Sequence, residues 1–225
     1  MGKLMAVGGL DAISTITKLL ELRQYLDVLK KQIDVMAEDY YRKMEEEVKA
    51  IDNPEEKNEY YENSMEEYWR YTERFPRIFM NGFLIIAYSL LETQTHSVAK
   101  RMQRKFGEVF DVDEIRGGGD LEAAILYIKK LTRVDAKQFS SWDDIKDAQR
   151  LRNIIVHSNG QIASDSTKDI ELAEKCGVLD KTMIDVMGRS IFMVLNTYDY
   201  NLTLLDAQDA FFADLYGQTK LASQP

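Results

Sequence analysis

Apolar residues recur at alternating steps of three and four near the start of the chain, at Leu19, Leu22, Leu26, Leu29, Ile33, Met36 and Tyr40. This spacing is that of a coiled-coil seam, so it predicts one long helix. Asp11, which follows Gly8-Gly9, is suited to cap its start, and the helix is expected to continue toward Asp52. The apolar stripe must pack against a partner.

A second helix is predicted to begin at Asn53-Pro54-Glu55-Glu56. Asn53 can cap it, Pro54 suits the first helical position, and Glu56 stands where a capping box places its acid. The four-three spacing continues at Tyr61, Met65, Tyr68, Thr72 and Phe75. We therefore expect residues 1–75 to form a coiled-coil-like helical hairpin whose stripes face each other. The alternative is pairing with a second copy of the chain.

Pro76 removes a backbone donor, so we expect a kink or break at Phe75-Pro76 and a new helix from there to about Lys105. Its apolar face comprises Phe79, Phe83, Ile86, Ala87, Leu90 and Val98. Its last turns carry Lys100, Arg101, Arg104 and Lys105, the densest basic run in the chain. These cations suit the negative end of a helix dipole, which is a structural role.

Three further helices are predicted, at about 121–132, 142–158 and 184–216. Gly117-Gly118-Gly119-Asp120 is expected to be a loop ending in a helix cap, and Ser140 and Ser141 supply another capping pattern. Residues 161–183 have little periodicity and are predicted to be a loop with a short helix ending at Gly177. The fold class is therefore all-α: an up-and-down helical bundle over 76–217, preceded by the hairpin and followed by a flexible tail at 218–225.

Composition limits the classes of function. The net charge of -9 and pI near 4.9 mean that the average surface repels polyanions, so binding of nucleic acid requires a local basic patch. The single Cys176 excludes an intramolecular disulfide, and no Cys/His spacing of a zinc site is present. The apolar run from Phe83 to Leu91 is too short to span a membrane. We expect a cytoplasmic protein without metal or cofactor.

The candidate chemistry lies in the stretch from Arg152 to Gly160, which contains one of the two histidines. At about 100° per residue, Asn153 and His157 share a helix face one turn apart, and Arg152 lies on its edge. A cation, an amide and a titratable imidazole at one helix end suit metal-free acid–base chemistry on a phosphate.

A purely structural role is the alternative for these residues. A histidine near a helix C-terminus can interact with the dipole and the last carbonyls. Arg152 can likewise pair with Asp144 or Asp147 upstream.

Arg152-Asn153-x-x-x-His157 resembles the R-N-x-x-x-H motif of the HEPN superfamily, which comprises all-helical domains of bacterial toxins, phage-defence proteins and RNA-processing nucleases. The resemblance covers about Pro76 to Tyr216. It includes Leu90-Leu91-Glu92, the Gly-rich entry to Leu121-Glu122-Ala123-Ala124, the helix start at Trp142, and Leu151 to Gly160.

The resemblance implies a four-helix bundle that forms a homodimer, with two motif helices lining one cleft. It implies that His157 acts as acid or base on the RNA 2′-hydroxyl and the leaving oxygen, that Arg152 stabilises the phosphorane, and that Asn153 orients the pair. Such cleavage uses no metal and leaves a 2′,3′-cyclic phosphate. Asn159 stands where members with nucleotidyltransferase antitoxins often carry tyrosine, so neutralisation by AMPylation there is not supported.

Two functions follow from these observations. The first is a metal-independent endoribonuclease of bacterial or phage conflict, such as a toxin with a protein antitoxin or regulator. Its RNA track would be the Lys100 to Lys105 run, or Lys129 and Lys130 with Arg133. The second is a non-catalytic helical module that binds a protein partner. His96 and Cys176 have no motif around them and are assigned no role.

Overall fold

The computed structural model describes residues 10–115, 119–186, 189–194 and 197–221. Helix α1 (Leu10–Lys49) is the longest element and confirms the first predicted helix. The residues before Leu10 and the side chain of Asp11 lie outside the described part, and so does the predicted cap. The first half of α1 buries Ala12, Ile16, Leu19, Leu26 and Ile33 in the main core.

Beyond Ile33 the helix continues into a hairpin with α2 (Pro54–Trp69). The predicted cap is confirmed, since Asn53 Oδ1 accepts a hydrogen bond from Glu55 N at 2.9 Å. The two helices pack within one chain: the rings of Tyr40 and Tyr71 stack with centroids 5.0 Å apart, and the Tyr40 hydroxyl donates to Ser64 O at 3.1 Å. We call residues 34–74 the arm.

The new helix that was predicted after a kink or break begins at Phe75, as expected, and the chain stays helical across Pro76. A π-helical turn (Arg70–Arg74) joins α2 directly to α3 (Phe75–Phe106). In this turn the Phe75 N–H donates to Arg70 O, five residues back. Pro76 cannot donate to a carbonyl four residues earlier, and the wider turn next to it absorbs the missing bond.

The next two helices agree with their predictions. They are α4 (Asp120–Thr132) and α5 (Trp142–Ser158). The N-cap position of α4 is Gly119, and Asp120, where the predicted cap stood, is the first helical residue. Residues 116–118, which include the first two predicted loop glycines, lie outside the described part. Ser141 occupies the N-cap position of α5 but makes no side-chain capping bond there.

A small antiparallel sheet follows, where a loop and the start of the last helix were predicted. Its strands are β1 (Gln161–Ala163), β2 (Leu179–Val186) and β3 (Arg189–Val194), in the order β1-β3-β2. The short helix α6 (Thr167–Lys175) ends just before Gly177, as expected. The last helix, α7 (Tyr198–Leu221), begins 14 residues later than predicted. The described part of the chain is therefore mostly helical, which is consistent with the predicted all-α class, and the small sheet was not predicted.

Helix α3 lies at the centre of the bundle, and α1, α4, α5 and α7 pack around it. Its buried side chains include Phe83, Leu84, Tyr88 and Leu91. Buried amides tie α7 to it, since Gln208 Nε2 donates to Ala87 O at 3.0 Å. Within the described residues, no helix has the length and apolarity that crossing a bilayer requires.

Candidate functional site

The motif helix α5 ends in a tight turn that leads directly into the sheet. Asn159 and Gly160 have positive φ angles of 52° and 75°. The Gly160 N–H donates to Ile154 O at 3.2 Å, and Gly160 O accepts from Val194 N at 2.7 Å. Two left-handed residues with a bond six residues back form a Schellman-type end, which satisfies the last helix carbonyls. The end of α5 is thus fixed against β3.

The predicted faces of α5 are confirmed. Ile145, Ala148, Leu151 and Ile155 are buried, whereas Asn153 and His157 are exposed. Among the described residues, none forms a hydrogen bond or an ion pair with the His157 ring. The imidazole is therefore accessible from solvent, so the helix end does not use it as a buried structural contact.

Arg152 is half-buried and turns toward the bundle. Its Nη1 donates to Asn153 Oδ1 at 3.0 Å, and its Nε is buried with no partner in the described part of the chain. The alternative pairings with Asp144 and Asp147 are not formed; Asp147 pairs with Lys175 at 2.5 Å instead.

The charge of Arg152 acts on two groups of α3. Burial raises the pKa of the Glu92 carboxyl, and the positive charge of Arg152 opposes that rise. Burial also raises the pKa of Tyr88, and the negative charge of Glu92 raises it further. The Tyr88 hydroxyl oxygen is buried without a partner among the described residues. Arg152, Glu92 and Tyr88 thus form a polar cluster between α5 and α3.

This cluster continues toward α4 through residues that the sequence did not single out. Lys146 Nζ lies 2.6 Å from Glu122 Oε1, and Gln149 Nε2 donates to Glu122 Oε2 at 3.3 Å. Gln149 lies one turn before Asn153 on the same helix face, which is the only sequence signal that pointed to it. The contact fixes α4 against α5 beside the motif.

A cleft of about 680 Å³ lies on the other side of Glu92, between α3 and α4. Its lining includes Glu92, His96, Asp113 and Asp120. His96 Nε2 lies 2.7 Å from Asp113 Oδ1, so the second histidine is engaged in a hydrogen bond with a carboxylate. Three carboxylates make this cleft unsuited to a phosphate.

The basic residues predicted as an RNA track are mostly engaged in contacts within the chain. Lys100 pairs with Asp111 at 2.6 Å and with Asp113 at 2.7 Å, and Lys129 pairs with Asp135 at 2.6 Å. Two more cations lie over aromatic rings, Arg101 over Tyr216 and Lys130 over Phe110. Arg104 and Lys105 are exposed, and neither forms an ion pair with any residue that the structure describes.

The cations of the Lys100 to Lys105 run lie far from His157 within one chain. A Cβ on Gly160 would meet Asn81 Nδ2 at 3.6 Å, so the end of α5 lies beside the start of α3. Arg152 acts on Tyr88 and Glu92, further along α3, so the two helices run in opposite directions. Lys100 lies 19 residues after Asn81 on α3, which is roughly 28 Å along the axis. One protomer therefore does not join the motif to the basic run.

The negative charge of the protein is concentrated in the arm. Residues 34–74 contain 14 Asp/Glu and 6 Lys/Arg, a formal charge of -8. The remaining residues contain 24 Asp/Glu and 23 Lys/Arg, a formal charge of -1. The bundle that carries the motif is thus nearly neutral, which the average over the whole chain concealed.

No family model, curated protein or solved structure matches this chain. Within the described residues, no group of three or more His, Cys, Asp or Glu side chains is placed to hold a metal ion. Burial raises the pKa of the half-buried Cys176 thiol, which disfavours the thiolate.

Proposed function

We propose that this protein is a HEPN-type, metal-independent endoribonuclease whose reacting side chains are Arg152, Asn153 and His157. The exposed ring of His157, which has no partner among the described residues and lies one turn after Asn153, carries this proposal. A general acid or base must be able to reach the proton that it transfers, and an exposed imidazole can do so.

The reaction is an internal transesterification of RNA. The 2′-hydroxyl oxygen attacks the adjacent phosphorus and loses its proton, the bond from phosphorus to the 5′-oxygen breaks, and that oxygen gains a proton. His157 serves one of the two proton transfers, and the Arg152 cation offsets the charge that develops on the phosphorane. Asn153 contacts Arg152 directly and holds its guanidinium beside the motif face.

A second copy of the chain supplies the other proton-transfer group. Each protomer has one imidazole at the motif, whereas the reaction needs both an acid and a base. Helices α3 and α5 carry exposed apolar side chains, with Ile78 61%, Ile86 47% and Val156 45% exposed. Burying these residues against a second protomer would be favourable and would bring two motif helices together.

The charge distribution supports access of RNA to the bundle. Because residues outside the arm have a formal charge of only -1, a phosphate backbone is not repelled from the motif face as the whole-chain charge suggests. In a toxin or defence setting, the enzyme would be restrained by a protein antitoxin or regulator.

Cleavage of labelled RNA in excess chelator tests the proposal. We expect cleavage by the wild type, products ending in a 2′,3′-cyclic phosphate, and no cleavage of the all-deoxy analogue. His157→Ala should reduce the rate at least about 100-fold, the low end of a general acid–base contribution. His96→Ala, which changes the other histidine, is the matched control and should retain activity. Equal activity of wild type and His157→Ala would refute the proposal.

The concentration of charge in the arm favours a second candidate, a non-catalytic module that binds a protein partner. It predicts that RNA remains intact with every variant, including the wild type. It also predicts a protein complex that survives high salt better than an RNA complex, because release of counterions makes RNA binding fall steeply with salt.

A further inference from the structure

The arm carries a ridge of exposed apolar side chains, Tyr41, Tyr61, Met65 and Trp69, which are 48%, 39%, 36% and 49% exposed. The last three follow one another at intervals of four residues on α2, so they lie on one helix face. Tyr41 reaches this face from α1, since its ring lies 6.4 Å from that of Tyr68. The ridge extends over two turns, roughly 12 Å from Tyr61 to Trp69.

Carboxylates line one side of this ridge. At about 100° per residue, Glu55, Glu59, Glu62 and Glu66 fall within roughly 60° of one another, directly beside the apolar face. All four are exposed. Glu66 lies 3.7 Å from Arg74, and the other three form no ion pair with the part of the chain that the structure describes. Glu45 of α1 raises the pKa of the Tyr41 hydroxyl, so another carboxylate lies near the ridge.

Charge determines which occupant suits this ridge. The arm carries -8, so a second arm, RNA and an anionic membrane surface would all be repelled by it. A cationic segment would gain attraction from the carboxylates, and its Lys and Arg side chains could stack on Trp69 and the tyrosines. Its apolar residues would cover the ridge.

We propose that the arm ridge binds a cationic amphipathic helix of a partner protein. The partner presents apolar side chains spaced at three and four residues to the ridge, and its Lys or Arg side chains meet the glutamates. Trp69 is the anchor, since it is the most exposed aromatic residue of the ridge. This surface is separate from the motif face, and the inference does not rest on the proposed cleavage activity.

A selection from displayed random peptides of about 16 residues, roughly four helical turns, tests this inference. The full-length wild-type chain is the bait, and peptides retained by Trp69→Ala are removed beforehand. Enriched peptides should be rich in Lys and Arg, with apolar residues at helical spacing. Trp69→Ala should weaken an enriched peptide at least about tenfold, as loss of an interface anchor does.

Two matched variants separate the ridge from general effects. Leu126→Ala removes a side chain of the bundle that is 51% exposed, and it should leave peptide affinity within about twofold of the wild type, because residues outside an interface hardly affect it. Glu62→Lys reverses one flanking charge and should weaken binding, most strongly at low salt. Circular dichroism should show all three variants folded, since the changed side chains are exposed.

Several outcomes would overturn the inference. The first is that no peptide binds the wild type better than Trp69→Ala. The others are enrichment of acidic or uncharged peptides, and equal affinity of wild type and Glu62→Lys for an enriched peptide. Self-association of the wild type that Trp69→Ala abolishes, measured by sedimentation, would assign the ridge to a second copy instead. RNA binding that Trp69→Ala abolishes would assign it to nucleic acid.

Discussion

The same chemical change, Gly to Ala, is predicted to have opposite effects at two glycines of this protein. Gly82 lies inside α3, where a Cβ would meet nothing within 4 Å, so Gly82→Ala should stabilise the fold by about 0.5–1 kcal/mol. Gly160, at the end of the motif helix, has φ +75°. A left-handed alanine costs about 1–2 kcal/mol, so Gly160→Ala should destabilise the fold by roughly that amount.

Gly177→Ala is a control that measures the stability lost to a left-handed alanine in the absence of new side-chain contacts. Gly177 has a similar φ of +66°, but nothing lies within 4 Å of its Cβ position, whereas the Cβ at Gly160 would lie 3.7 Å from Val194 Cβ. The distance at Gly160 is ordinary van der Waals contact and the space at Gly177 is open, so Gly160→Ala and Gly177→Ala should lose similar stability. A larger loss at Gly160 would indicate that β3 cannot yield beside the motif helix.

Urea unfolding followed by far-UV circular dichroism measures these differences in dilute protein, where the midpoint no longer depends on concentration. The variants at positions 82 and 160 should differ by about 1.5–3 kcal/mol in unfolding free energy, with unchanged slopes. In a chain of this size each kcal/mol corresponds to about 2–4 °C in Tm. If Gly160→Ala were as stable as the wild type, the left-handed turn that fixes the end of α5 would be wrong.

Three further predictions concern a helix cap, a buried carboxyl group and the basic end of α3. Asn53→Ala should cost about 1 kcal/mol in urea unfolding because it removes a capping bond, whereas Ser141→Ala should cost less than about 0.5 kcal/mol because Ser141 makes no such bond. Burial raises the pKa of Glu92 in the folded state, so wild-type stability rises as pH falls from above its folded pKa toward its unfolded pKa. The stability of Glu92→Gln relative to wild type should therefore decrease between pH 7 and pH 4. An unchanged difference in urea midpoints would contradict this. Changing both Arg104 and Lys105 to Glu should reduce RNA affinity in filter binding if the basic end of α3 contacts RNA, and it should lower the slope of affinity against salt by about 2.

Most helices of this fold could be predicted from local patterns. The three-four spacing from Leu19 to Tyr40 and the capping pattern at Asn53 located α1 and α2, because local spacing and caps determine helices. The sheet was missed for a related reason. Ile184, Ile191 and Val194 precede a helix, and their spacing also fits a helical period. The β-forming segment instead makes two strands that pair with each other, and the second of them also pairs with Gln161–Ala163.

The motif itself could be identified from sequence, but its surroundings could not. The electrostatic effect of Arg152 on Glu92 joins residues 60 positions apart, and such an interaction depends on how helices pack. The opposite placement of His157 and Lys100 likewise follows from the antiparallel arrangement of α5 and α3. The negative charge of the arm can be counted from the sequence, but only after the structure shows that the main core ends at Ile33 on α1 and that the arm begins there.

If His157 transfers a proton during RNA cleavage, its removal must slow the reaction while removal of the other histidine must not. The cleavage rate of one RNA is compared between wild type, His157→Ala and His96→Ala in excess chelator, with purity and folding matched. The proposed mechanism predicts activity in the wild type and His96→Ala, and a loss of at least about 100-fold in His157→Ala alone. Equal rates in all three proteins, or intact RNA with the wild type, would contradict it.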